Sequence, residues 1–237
     1  MSIREHRRPT VLAAWLDCVW ERTVDHGGGA RILPDGCIDV VFSPSRGLRL
    51  VGANTVAFLS DVAPGEPVLG ARLVPGGAPA LLGIAAEPVL DRRPPLDELL
   101  GDEARRLQQL LYESADPVAT LSAWLTERAP RARAPDPLVA AAVSGLAGGD
   151  DRVGRLAGAL GVSERALRRR VTVAVGYGPK RLARVLRLRR ALALAGDGSP
   201  LAEAAYAAGY ADQAHFAHDC RELAGLPPGR FLQDSAR

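Results

Sequence analysis

The sequence predicts an α+β N-terminal domain, a small β-sheet plus helices, followed by an all-α domain with two helix-turn-helix units. Three observations predict it. Between Val153 and Phe231 a helix–glycine–helix device occurs twice. Ahead of it, strand-like alternation gives way near Gly77 to helical periodicity. Charge divides the same way: residues 1–135 hold 15 arginines against 17 acids, net −2, and residues 136–237 hold 15 basic residues against 10 acids, net +5. A basic half that carries the repeat suits electrostatic contact with phosphate.

The first copy of the device runs from Leu156 to Arg170 and turns at Gly161; the second runs from Glu203 to Phe216 and turns at Gly209. Matching tails follow, Gly176-Tyr-Gly-Pro-Lys-Arg-Leu182 and Gly225-Leu-Pro-Pro-Gly-Arg-Phe231. The turn glycines lie 48 residues apart and the tail glycines 49. A spacing kept through glycines and prolines is an architectural duplication, here of a helix-turn-helix.

In the first unit Val153, Leu156, Ala157 and Leu160 repeat at helical spacing, with Asp150 or Asp151 as the expected cap. Ser163 caps the next helix, whose Leu167, Val171 and Ala174 share one face. Arg165, Arg168, Arg169 and Thr172 share the other. Arginine pairs bidentately with guanine and with phosphate, so this stripe suits a helix laid in the major groove. A solvated charged face is the plainer alternative, and the duplicated setting favours DNA. In the second unit Ser199-Pro200 reads as a cap followed by proline at the first helical position, and Asp212 caps the last long helix. Phe216, Cys220 and Leu223 form its buried stripe; Ala214, Ala217, His218 and Arg221 lie opposite, beside Gln213. Alanine can touch a thymine methyl but cannot hydrogen-bond a base, so this helix is expected to position more than it reads. Between the units a helix of about 18 residues starts at Pro179 and stops at Gly196-Asp-Gly198, spanning on the order of 27 Å. Arg184, Arg187 and Arg190 recur along it, some expected to pair inside the domain.

From about Pro135 to Arg237 the chain resembles the DNA-binding domain of AraC/XylS-type transcriptional regulators. The resemblance rests on Leu-Gly-Val-Ser-Glu-Arg-Ala-Leu-Arg-Arg from Leu160, Gly-Tyr-Gly-Pro-Lys-Arg from Gly176, Ala-Gly-Tyr-Ala-Asp-Gln-Ala-His-Phe from Ala208, and the Gly225 tail. It implies seven helices, two of them recognition helices, over 163–175 and 212–224. Cys220 stands where the family usually has a large aromatic, and Ala214 and Ala217 where polar residues are commoner. The base-reading residues are expected to be Arg165, Arg168 and Arg169, with Gln213 and His218 secondary. Ser163, Thr172, Lys180, Arg181 and Arg221 are the phosphate contacts.

In the N-terminal half, Pro9–Leu16 reads as a short helix. Strands are expected over Cys18–Val24, Ala30–Leu33, Cys37–Phe42, Leu48–Val51, Val56–Val62 and Val68–Val74, in one sheet, with Pro34-Asp-Gly36 turning between the second and third. Helices follow at Ala78–Ala85, Leu96–Leu100, Asp102–Tyr112 and Pro117–Arg128. Residues 1–130 are therefore taken as a sensing or dimerisation domain, 131–135 as a proline-stiffened linker, and 136–237 as the double helix-turn-helix domain. Leu33-Pro-Asp-Gly-Cys-Ile-Asp-Val-Val41, the Val74–Ile84 segment and Asp91-Arg-Arg-Pro-Pro-Leu96 resemble an uncharacterised domain often joined to AraC-type domains. By that analogy it senses, dimerises, or both.

Composition narrows the alternatives. With 237 residues, 47% apolar, the chain suits one or two globular domains. No apolar run approaches a membrane span and the N-terminus lacks a signal pattern, so a cytoplasmic protein is expected. Cys18, Cys37 and Cys220 have neither zinc spacing nor a disulfide framework, and no cofactor or metal is expected. There is no nucleophile elbow, phosphate-binding glycine loop or metal triplet, so the chain is read as a non-enzyme. Trp15, Trp20 and Cys37 are the candidate ligand-binding residues, set against the plainer reading of core packing. A tryptophan-lined sheet pocket would suit an aromatic or cationic effector. The expected partners are duplex DNA, a small-molecule effector, RNA polymerase and a second copy of the chain. Two alternatives stand beside this regulator: a redox-responsive one using Cys18 and Cys37, and a non-sensing architectural protein.

Overall fold

A computed structural model describes residues 3–23, 30–149 and 152–235. Strands β1 (Ile3–His6), β2 (Leu16–Thr23), β3 (Arg31–Ile32), β4 (Ile38–Ser43), β5 (Gly47–Val51), β6 (Phe58–Leu59) and β7 (Pro67–Leu73) come first. Helices α1 (Gly77–Leu81), α2 (Asp97–Leu100), α3 (Asp102–Glu113) and α4 (Pro117–Arg128) complete the N-terminal part. Then come α5 (Pro137–Ala147), α6 (Val153–Ala159), α7 (Glu164–Val175), α8 (Pro179–Gly196), α9 (Leu201–Ala207), α10 (Gln213–Ala224) and α11 (Pro228–Ser235). These are an α+β region and an all-α region of two helix-turn-helix units, α6–α7 and α9–α10.

The main sheet is antiparallel in the order β1-β2-β7-β4-β5. Alternation gives it two unlike faces. Ile38, Val40 and Phe42 of β4, Leu48 and Leu50 of β5, and Leu69, Ala71 and Leu73 of β7 bury one face against α1, α3 and α4. The intervening residues, Asp39, Val41 and Ser43, Arg49 and Val51, Val68 and Arg72, face the other way, into a cavity. The separate ribbon β3–β6 walls that cavity.

Several local expectations need correction. The segments 30–33 and 56–62 do not extend the main sheet; β3 and β6 pair with each other, Arg31 opposite Leu59. Pro34-Asp-Gly36 therefore joins two sheets and is not a hairpin turn. Only Thr10–Leu12 coils, as a 3-10 turn, in the segment read as a helix from Pro9. β1, Ile3-Arg-Glu-His, is a strand beyond those expected: it carries no apolar alternation and gains its strand geometry from pairing with β2. Pro200 is the N-cap of α9, with no side-chain cap, so Ser199 lies outside the helix. Val24, Asp150 and Asp151 lie outside the described residues.

Other caps form as the side-chain chemistry requires. Asp136 accepts from Leu138 N at 3.0 Å, Ser163 from Ala166 N at 3.2 Å and Asp212 from His215 N at 2.7 Å. One buried cluster runs from Leu12 and Leu16 through the sheet to Leu167, Val171, Val175 and Leu182, so the first helix-turn-helix shares its core with the N-terminal half. The second builds its own around Phe216, Cys220 and Leu223.

Candidate nucleic-acid interface and effector cavity

The first unit presents Arg165, Arg168 and Arg169 exposed on α7, with no ion pair among the described residues. Arg170, one position on, points elsewhere and pairs with Asp136 at 3.2 Å, fixing α7 to the start of α5. Thr172 is half-buried. Gly161 and Gly176 take left-handed backbone, φ +68° and +91°, which closes the turn and ends α7.

On α10, Gln213, Ala214, His218 and Arg221 are exposed and Ala217 is half-buried; His218 Nε2 lies 3.4 Å from Glu222. A residue absent from the sequence expectations organises this unit. Asp219, 2% exposed, receives Arg184 Nη2 of α8 at 2.6 Å and the Tyr210 hydroxyl at 3.3 Å, while Arg184 also pairs with Glu222. The signal was present: Asp219 lies three residues after Phe216 and four before Leu223, inside the apolar stripe, where a carboxylate needs partners. The arginine row of α8 faces inward. Arg187 lies over the Tyr210 ring at 5.2 Å, and Arg190 donates to the carbonyls of Ala147 and Ala208, each at 2.6 Å. Lys180 is exposed. Arg181 is half-buried and donates to Thr55 O at 3.1 Å, which holds one of its nitrogens on the N-terminal half.

The cavity behind the main sheet encloses about 200 Å³. Trp20, Val41, Val51, Phe58 and Val68 supply its apolar wall; Arg22, Arg46, Arg49, Arg72 and Arg93 face it with Asp39 and Asp61. Gly70 permits this wall, since a Cβ there would overlap the Trp20 ring lying across it. Arg46 is matched by Asp61 at 2.7 Å, and Arg72 by Asp39 and Asp35 at 3.6 Å each. Burial works against the Arg72 charge, but Asp39 and Asp35 outweigh it and hold the guanidinium above its ordinary value. Arg22 is only 7% exposed, and burial lowers both its pKa and that of Arg93. Arg93 stacks 3.4 Å from the Phe58 ring centre and donates to Asn54 Oδ1 at 2.9 Å.

Trp20 Nε1 donates to Asp39 Oδ1 at 3.0 Å. Burial pushes the Asp39 carboxyl up to about 7, against the pull of Arg72. A carboxyl raised on folding contributes stability that is present below the ordinary carboxylate range and lost as pH rises through 7. The melting temperature of the native chain should therefore fall more between pH 5 and 8 than that of Asp39→Asn. Calorimetric scans of both proteins check this, and parallel profiles would remove Asp39 as the cause.

Of the three residues expected to bind a ligand, Trp20 alone lines the cavity. Trp15 donates to Arg133 O at 2.6 Å and packs on the core, while the Cys37 amide donates to Asp35 Oδ1. Burial pushes the Cys18 thiol up to about 11 and the Cys37 thiol well above its ordinary value. The thiolate is the reactive form, so this burial works against the redox alternative. Iodoacetamide at pH 7.5 should leave Cys18 and Cys37 unmodified in the folded chain and label them in urea; mass spectrometry reads the difference. Among the described residues no His, Cys, Asp and Glu cluster could hold a metal, and no helix is long and apolar enough to cross a membrane.

The ribbon joins the halves. Its approach segment carries Ala57, whose amide donates to Leu223 O at 2.7 Å, and Arg31 of β3 donates to Ala224 O at 3.1 Å. Both acceptors lie at the C-terminal end of α10. Gly76 N donates to Ala174 O at the end of α7, and Tyr177, buried after that helix, packs toward Gly36.

Two helix-turn-helix units in series, fixed to each other by a shared helix, define a double helix-turn-helix protein. Residues 156–234 match the family model described as a helix-turn-helix domain, and residues 4–95 match a domain of unknown function, DUF6597. The chain thus joins a helix-turn-helix domain to a DUF6597 domain. Among solved structures it is similar to a transcriptional regulator with an AraC-type DNA-binding domain from Chromobacterium violaceum: 25% identity, 43% of this chain, 94% of that one, TM-score 0.40. It is similar to the C-terminal domain of AraT, a response regulator from Geobacillus stearothermophilus, at 23% identity over 42% of this chain and 86% of that one, TM-score 0.39. ToxT from Vibrio cholerae O395 aligns at 12% identity over 93% of this chain and 98% of that one, TM-score 0.45. No curated protein matches the chain.

Proposed function

We propose that the chain is a sequence-specific, DNA-binding transcription regulator and not an enzyme, with residues 1–130 sensing a small molecule and 136–237 binding duplex DNA across the 131–135 linker. The observation that carries this is the exposed stripe of Arg165, Arg168 and Arg169 on the second helix of a helix-turn-helix, within the region that matches the helix-turn-helix domain model. Arginines fixed elsewhere in the domain, Arg170, Arg184 and Arg190, have internal partners; among the described residues these three have none. They read bases, and Lys180 and Arg221 hold phosphate. The cavity in the N-terminal half favours the sensing regulator over an architectural protein with no effector.

The test uses the full chain. Fragments of the source genome that it retains should share a sequence, bind about a thousandfold or more tighter than random duplex, and lose affinity steeply with salt. Equal affinity for selected and random duplexes would overturn the proposal.

A further inference from the structure

We infer that the cavity between the main sheet and the β3–β6 ribbon takes a small organic anion with an apolar body, its acid group held by Arg49 and Arg93. The inference rests on the sensing role proposed above and names the ligand class of that site.

Five arginines and two aspartates line the space. Asp61 answers Arg46, and Asp35 together with Asp39 answers Arg72. Arg49 and Arg93 remain bound, among the described residues, to neutral acceptors: Arg49 Nε donates to the Arg93 carbonyl at 2.9 Å, and Arg93 Nη2 to Asn54 Oδ1. Arg22, more than nine-tenths buried, lines the same wall and donates to Ser60 Oγ at 3.4 Å. Positive charge in a partly dehydrated space is costly until an anion enters, and guanidinium groups hold carboxylates through paired N–H donors. Trp20, Val41, Val51, Phe58 and Val68 lead the apolar part of the wall, which a bare oxyanion would leave wetted. A carboxylate on a hydrocarbon or aromatic body satisfies both halves. A cationic effector, which tryptophan alone could have suited, meets the arginines and is repelled.

Isothermal titration of the full chain decides it, with phenylacetate and hexanoate as probes beside phenylacetamide, phenethylamine and inorganic phosphate. The two carboxylates should bind saturably and the amide and amine should not. Phosphate should bind at least about tenfold more weakly, because it uses only the polar wall. In Arg49→Gln the carboxylates should weaken roughly tenfold to a hundredfold, the usual loss of a charged hydrogen bond. The acid–amide comparison is made in the unaltered chain, so it stands even where the variant is less stable. The inference is overturned if phenylacetamide or phosphate matches phenylacetate, if neither carboxylate saturates, or if Arg49→Gln binds phenylacetate as the native chain does. DNA binding measured on the same preparation separates the two ideas. Sequence-specific binding without a carboxylate response overturns the anion site alone, whereas loss of specific binding overturns the regulator reading beneath it.

Discussion

Arg169→Ala should bind a selected operator about 5- to 150-fold more weakly than the native chain, a loss of roughly 1–3 kcal/mol, and should accept other bases at one or two positions. Arg169 is exposed on α7 and has no partner among the described residues, so its removal leaves the packing of Leu167, Val171 and Val175 untouched. Lys180→Ala provides the contrast. Its ammonium is a point charge beside the helix start, so operator and random duplex should weaken alike and the salt slope should fall by about one. Quantitative binding at several salt concentrations, on operators changed one base pair at a time, measures both. If the two variants relax sequence preference equally, the division between reading and holding is wrong.

The second large effect is on stability. Asp219→Ala should cost about 3 kcal/mol, at the lower end for breaking a buried pair because Arg184 keeps Glu222. It also strips the Tyr210 hydroxyl of its partner, and Tyr210 is 2% exposed. The damage falls where α8 meets α10, so the second helix-turn-helix should loosen before the rest. Urea unfolding gives the total, and hydrogen exchange along α9 and α10 gives its location. A change below about 1 kcal/mol would mean that Arg184 and Tyr210 find other partners.

Features set by neighbours along the chain were legible in the sequence. Asp136, Ser163 and Asp212 cap because their carboxyl or hydroxyl oxygens reach amides two or three residues on, and Gly161 and Gly176 turn because glycine tolerates positive φ. The repeat and the arginine stripe on α7 are periodic, so they too could be read. What pairs at a distance could not. Arg31–Ile32 and Phe58–Leu59 are too short to announce a partner, and the sequence does not say that they leave the main sheet. Arg49 and Arg93 look like surface arginines until β5 and the segment leading into α2 close on the same cavity. Arg181, chosen for phosphate by its place in the tail, spends a donor on Thr55, a residue 126 positions away.

The β3–β6 ribbon walls the cavity on one side and is tied, through Ala57 and Arg31, to the last carbonyls of α10 on the other. Two hydrogen bonds of this kind carry on the order of 1–3 kcal/mol together. That figure is a ceiling on the conversation between occupant and operator along this route: about 5- to 150-fold in either affinity. Reciprocity then fixes the other half of the exchange. Whatever factor an occupant imposes on the grip of α10 on DNA, the operator must return unchanged to the occupant, so a chain seated on its site would sense at a different concentration from one adrift in solution.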